Sequence, residues 1–267
     1  MNKWTICALT LAVLALFMAV FAGGFELSAG AWYAEPDGEI AYSPNGANRF
    51  IDLRDEAGFD DEWQLLVRAK LQPPKLPGLY LQATPLSFES SGSSSFEFSF
   101  GDAVFGAGDE IDSDFFLNMY DAVLYVPIPL IKQGDLDVFS VELGAGAKWF
   151  HIRAELENRS IDDDGLEELI DTSALEDSQR ATVVYPQGYA AVHIKPHERV
   201  TLEGEFWGWS NNGDKFWTLL ARLKLRVAGP LYVDGGYRFD RVDIDDDDLS
   251  IRDTDLSGPF TEVGLAW

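Results

Sequence analysis

The last ten residues, Gly258-Pro-Phe-Thr-Glu-Val-Gly-Leu-Ala-Trp267, constrain this chain more than any other stretch. Every second residue back from the end, Trp267, Leu265, Val263 and Thr261, falls on one side. Ala266, Gly264, Glu262 and Phe260 fall on the other. A period of two is that of a β-strand, in which successive side chains leave opposite faces. One face of this strand is therefore apolar and ends on an aromatic ring, and the other is small or polar.

Nine earlier segments carry the same alternation: Phe25 to Glu35, Glu62 to Gln72, Leu79 to Phe88, Phe115 to Val126, Val138 to His151, Val184 to Lys195, Arg199 to Trp209, Lys215 to Val227 and Leu231 to Asp240. The clearest is the fifth, where Phe139, Val141, Leu143, Ala145, Ala147 and Trp149 alternate with Ser140, Glu142, Gly144, Gly146 and Lys148. The connections alternate as well. Segments 36–61, 89–114, 152–183 and 241–258 are long, polar and acidic, whereas 72–78, 127–136, 196–198 and 228–230 are short. Proline and glycine punctuate the short ones, because Pro lacks the amide a ladder needs. The Asn212-Gly213 hairpin is the one short connection on the long side, and Asn-Gly favours the primed turns that match strand twist. Ser90 to Ser95 reads as a flexible loop tract, and 163–176 as room for a short external helix.

An even number of strands with loops sorted by length resembles a bacterial outer-membrane barrel. The terminal aromatic strand with Trp267, Leu265 and Val263 resembles the signal that the barrel assembly machinery of that membrane recognises. The predicted fold is thus all-β, a ten-stranded antiparallel transmembrane β-barrel; a soluble β-sandwich shares the alternation but does not sort its loops so regularly. The N-terminus agrees. Lys3 precedes an apolar run from Trp4 to Phe21, and Val20-Phe21-Ala22 offers a cleavage site before Gly23. We expect a signal peptide over 1–22 and one barrel domain over 23–267, the alternative being an N-terminal membrane anchor. Cys7 lies in the leader, so the mature chain is expected to lack thiol chemistry.

A net charge of −25 excludes nucleic acid as a partner, since phosphate neutralisation needs clustered Lys and Arg. The expected partners are outer-membrane lipid and lipopolysaccharide. The polar faces of the strands carry both signs of charge: Glu26, Asp121, Glu142, Glu203, Glu205, Asp234 and Glu262 against Arg68, Lys70, Lys148, Arg222, Lys224, Arg226 and Arg238. Glu203 and Glu205 are one hairpin from Arg222 and Arg226, which makes cross-strand pairing natural. Wide channels need about sixteen strands, so these charges are expected to plug the lumen; a narrow ion or solute path lined by them is the alternative. Trp32, Trp207 and Trp209 fall on the lumen side near the external mouth, where they either cap the plug or stack on a ligand. On the other face Tyr33, Trp63, Tyr120, Trp149 and Trp217 suit an aromatic girdle at headgroup depth.

Two acidic runs, Asp162 to Asp164 and Asp245-Asp246-Asp247-Asp248, offer oxygen ligands of the kind Ca²⁺ or Mg²⁺ takes, although no spacing matches a known calcium loop; a solvated acidic surface is the plainer reading. No cofactor is expected. The histidines are His151, His193 and His197; no Asp-x-His occurs, His193 and His197 fall at the periplasmic end, and Phe150 and Ile152 beside His151 offer no orienting carboxylate, so an enzyme is not expected.

Finally, the C-terminal half resembles a family of bacterial outer-membrane proteins marked by a Gly-Gly pair in the penultimate strand. The matching residues are Gly235-Gly236 within Leu-Tyr-Val-Asp-Gly-Gly-Tyr-Arg-Phe, the Asp-rich segment Asp243 to Leu256, Gly258-Pro-Phe, Glu203-Gly-Glu205-Phe-Trp-Gly and the Asn-Asn-Gly-Asp turn. Gly-Ala-Trp32 and Pro-Ile-Pro match more loosely in the N-terminal half. The resemblance implies a barrel in the outer membrane and no particular reaction.

Overall fold

The computed structural model describes residues 24–42, 51–54, 57–74, 76–93, 98–100, 103–106, 108–134, 136–158, 176–211, 213–245 and 249–267. The expected leader over 1–22 lies outside them, as do the candidate helix at 163–176 (but for its last residue) and Asp162 to Asp164. Among the described residues thirteen strands are formed: β1 (Phe25–Tyr42), β2 (Ile51–Asp52), β3 (Glu62–Leu71), β4 (Gly78–Ser93), β5 (Phe98–Phe100), β6 (Ala103–Phe105), β7 (Glu110–Gln133), β8 (Leu136–Asn158), β9 (Glu176–His197), β10 (Val200–Asn211), β11 (Asp214–Ala228), β12 (Leu231–Asp245) and β13 (Leu249–Ala266).

Ten of these make one antiparallel sheet in which each strand pairs with its neighbour in the chain, and β13 returns to pair with β1. The sheet therefore closes into a ring, so the strands that cross the bilayer leave no edge there to satisfy. Closure is tight at the seam. Leu27 sits opposite Leu265 and Trp32 opposite Phe260. Trp267 stacks on Phe25 at 5.6 Å and exchanges two backbone hydrogen bonds with it. Of the extra strands, β2 lies along the outer end of β1, and β5 and β6 form a separate hairpin.

The strands are longer than the alternation alone marks. The stretch expected to be a flexible serine tract is in part the end of β4, with Ser90 opposite Ser113 and Ser91 opposite Asp112. The proline turn expected at 127–136 is instead strand down to Gln133, with the reversal at Gly134 in a left-handed conformation (φ 64°). Pro127 and Pro129 are tolerated because β7 has lost its β4 neighbour below Tyr125, so one side of it is an edge where a missing amide costs nothing. β8 has 23 residues, about 60 Å of strand height at the usual rise and tilt. A bilayer accounts for an apolar band of only about 25 Å, so the barrel wall continues well beyond it on the side of the long connections.

The outward face identifies that band. Leu65, Leu81, Leu124, Leu143, Val192, Leu202, Leu219, Leu223, Val233 and Val263 are all exposed, and a soluble protein does not expose a continuous apolar belt of this size. Above it stand Tyr33 against Trp63 (5.1 Å) and Trp217 stacked on Phe239 (4.9 Å), with Tyr120 and Trp149 paired across β7 and β8.

Gly235-Gly236 sits where neighbouring backbones approach closely. Gly236 faces the lumen between Arg222 and Phe260, and a Cβ there would lie 1.9 Å from the Ala221 carbonyl oxygen. Gly235 faces lipid, where the tightest contact would be 3.3 Å. Only the first position needs glycine for the two backbones to approach so closely. Gly236→Ala is thus expected to lower stability by about 2–4 kcal/mol and Gly235→Ala by well under half of that, measured by urea unfolding in lipid vesicles. Equal effects would show that this close backbone approach is not what requires glycine.

Candidate functional site

The lumen has two tiers. The one nearer the short turns is built from the charges that alternation places inside. Lys224 bridges Glu26 at 2.7 Å and Glu203 at 3.0 Å, and Tyr232 donates to the same Glu26 at 2.9 Å. His193 lies between Glu142 (3.2 Å) and Glu203 (3.5 Å). Lys70 meets Glu142 at 3.0 Å and Glu205 at 3.6 Å under the ring of Tyr80, whose hydroxyl donates to Glu205. The Arg222 guanidinium spans Glu203 and Glu205. Across the lumen Arg68 pairs with Glu262 and with Asp234 at 3.3 Å, while Ser28 donates to Glu262 at 3.0 Å.

Further up, Asp121 accepts from Lys148 and Gln187 and from Gln82. Arg238 donates to Asp240 at 2.7 Å and to Thr84 at 2.9 Å with its guanidinium over Trp32. Every barrel strand supplies at least one side chain to this network, and its members are almost all buried. Each charge taken from water is offset by a partner of opposite sign and by further hydrogen bonds, the arrangement under which buried ions persist.

Arg226 departs from the expectation. It is exposed at the rim and lines, with Lys195 and Glu198, an open vestibule of about 640 Å³ whose floor is the network itself. The three tryptophans depart too. Trp32 and Trp207 are 0% and 1% exposed, in mid-barrel and not at a mouth; Trp207 is packed on Tyr80 and Tyr189. Trp209 is half-buried against the same core. None presents the open face that stacking on a ligand needs. The reason is the extra height of the wall, which puts the mouth well above the point where the marked strands end.

A second tier fills the upper ends of the marked strands and the extra wall above them, and the alternation alone does not reveal it. Leu86 and Phe88 on β4, Phe115 and Leu117 on β7, Phe150 and Ile152 on β8, Val242 and Ile244 on β12 and Leu256 on β13 all point inward and are buried. Leu53, at 0% exposed, and Phe59, whose ring lies 6.1 Å from that of Phe115, pack into the same core. Side chains at lumen positions thus pass from ionic to hydrocarbon on the way out.

The outside of the raised wall is mainly acidic. Glu89, Asp114 and Glu155 lie in one row across β4, β7 and β8. Partial burial, with Glu89 and Glu155 alongside, holds the Asp114 carboxyl above its ordinary range. The folded state therefore disfavours ionised Asp114, a cost present above its raised pKa and lost as pH falls through the normal carboxylate range. Asp114→Asn is expected to raise the unfolding midpoint near neutral pH and to leave it unchanged below about pH 3.5; a pH-independent shift would assign the effect to packing. On β12 and β13 Arg241 bonds both Asp253 and Asp255, and the bond from Arg241 keeps the exposed Asp253 carboxyl below its usual range. Asp245 ends β12, while 246–248 lie outside the described residues. Among the described residues no three His, Cys, Asp or Glu side chains are placed to hold a metal ion.

No protein-family model matches the sequence, and no curated protein is similar to it at a significant level. Among solved structures the chain is similar to the attachment invasion locus protein Ail of Yersinia pestis, at 9% identity over 92% of this chain and 99% of that one, with a TM-score of 0.34. It is similar to the translocator domain of the autotransporter NalP from Neisseria meningitidis at 10% identity over 98% and 96%, with a TM-score of 0.48. The outer membrane protein OprG from Pseudomonas aeruginosa gives 12% identity over 92% and 96%, with a TM-score of 0.34. On its own belt, girdle and closure, the chain is an integral β-barrel of the bacterial outer membrane.

Proposed function

We propose that this protein is a sealed outer-membrane barrel that acts through the surface it raises above the membrane and not by passing solutes. The observation that carries the reading is the filled lumen: an ionic network drawing on all ten barrel strands, with a hydrocarbon tier stacked over it. An ion entering from the vestibule meets charges already matched to one another, and beyond them apolar side chains that offer it nothing in exchange for its hydration shell. The acidic outer wall and the acidic run ending β12 would meet divalent counter-ions of the membrane as a diffuse layer. Gly235-Gly236 and the segments around it support membership in the Gly-Gly family of outer-membrane proteins, and the seam strand β13, with Val263 and Leu265 on its outward side, supports recognition by the barrel assembly machinery.

Planar-bilayer recording tests this directly. The wild type is expected to show no steady conductance, and so is Arg222→Ala, because the upper tier stays closed when the lower one is weakened. A steady wild-type conductance altered by Arg222→Ala would replace this reading with a narrow charged channel.

A further inference from the structure

We infer that the outward face of β8 and β9 just above the aromatic girdle binds the phosphate groups of lipid headgroups in the outer leaflet. The inference rests on the barrel being embedded in a membrane, as read above. Arg153 and Arg180 are direct cross-strand partners. Like charges placed opposite each other destabilise a sheet unless something of the other sign lies between them. One nitrogen of Arg153 is held by Glu155, the guanidinium lies 5.7 Å from the centre of the Phe116 ring, and its Nε has no acceptor. Arg180 is exposed and has no acidic partner among the described residues.

Among the described residues the other cations on the outside of the raised wall have partners. Lys215 meets Asp243 at 2.9 Å, Arg54 meets Asp61 at 3.2 Å, and Arg241 holds two aspartates. An arginine pair with one acidic hydrogen-bond partner, Glu155, among the described residues therefore stands out in a chain of net charge −25. Its position selects the ligand. Arg153 is four residues beyond Trp149, with the His151–Thr182 hydrogen bond (2.8 Å) between them. Four residues of tilted strand raise it about 10 Å above the girdle, within side-chain reach of the headgroup phosphates. The planar forks of two guanidiniums suit a phosphate through paired, charge-assisted hydrogen bonds.

The test uses the full folded barrel in nanodiscs containing either diphosphorylated lipid A or a dephosphorylated form with the same acyl chains. Lipid retained through delipidation is counted by native mass spectrometry. The wild type is expected to keep the phosphorylated form, and Arg153→Gln with Arg180→Gln to weaken retention about tenfold or more. Arg241→Gln is expected to change nothing, and millimolar inorganic phosphate not to displace the lipid. Equal retention by the double variant, or equal retention of the dephosphorylated lipid, would overturn the inference. Displacement by phosphate alone would overturn the headgroup as the source. Heat-dependent gel mobility reports folding separately: its absence in the wild type would count against the barrel itself. If the double variant does not fold, Arg180→Gln alone carries the test, because that side chain is exposed.

Discussion

Arg222→Ala is expected to destabilise the barrel by about 3–5 kcal/mol, the usual consequence of breaking a buried ion pair from one side. Arg222 is 4% exposed and spans Glu203 and Glu205, which are themselves 6% and 1% exposed. Its removal leaves two carboxylates two residues apart on one strand with less positive charge between them. Lys224 and His193 still reach Glu203, and Lys70 still reaches Glu205, so the loss is bounded and the barrel still closes. Glu203→Gln combined with Glu205→Gln in the Arg222→Ala background is expected to recover much of the stability, because the cost lies in unmatched charge and not in lost volume. Urea unfolding in vesicles followed by tryptophan fluorescence gives both numbers. A loss under about 1 kcal/mol would mean that water reaches these carboxylates and that the network does not seal the lumen.

Phe150→Ala is expected to cost a similar amount, about 3–5 kcal/mol, for a different reason. Phe150 is fully buried, with its ring edge-on to Phe216 at 5.3 Å and to Tyr185 at 6.2 Å. The closed wall holds its neighbours in place, so the site collapses poorly and a cavity remains. Because the energy is that of hydrocarbon packing, it should be insensitive to salt and pH, whereas the Arg222→Ala effect should shrink as pH falls and the carboxylates protonate. If Phe150→Ala costs little and its unfolding becomes salt-dependent, the upper tier is hydrated and the lumen is not sealed there.

Much of this arrangement is legible along the chain. Alternation places Glu142 and Lys148 inside and Leu143 and Trp149 outside without any structure, because a strand has only two faces and a one-residue slip would exchange them. It also places Glu203, Glu205 and Arg222 on one face of a hairpin. Other features need the third dimension. That Arg222 bridges both glutamates while Arg226 stands exposed depends on where β11 meets the rim. Arg238 and Asp240 share a face of the marked ninth strand, but that Arg238 also reaches Thr84 on β4 and lies over Trp32 on β1 shows only in three dimensions. Phe88, Phe115 and Phe150 fall at the upper ends of marked strands, but acidic neighbours just beyond them, Glu89, Asp114 and Glu155, make the chain there look like loop and hide that the wall rises further.

By itself, then, the sequence determined a closed ten-stranded barrel with apolar residues toward lipid and charges inside, since period and loop length are local properties that each segment carries alone. The tertiary structure decided which charges meet, how far the wall rises above the membrane and that hydrocarbon fills its upper end. Those outcomes depend on the stagger of ten strands against one another around a ring, and no single segment encodes it.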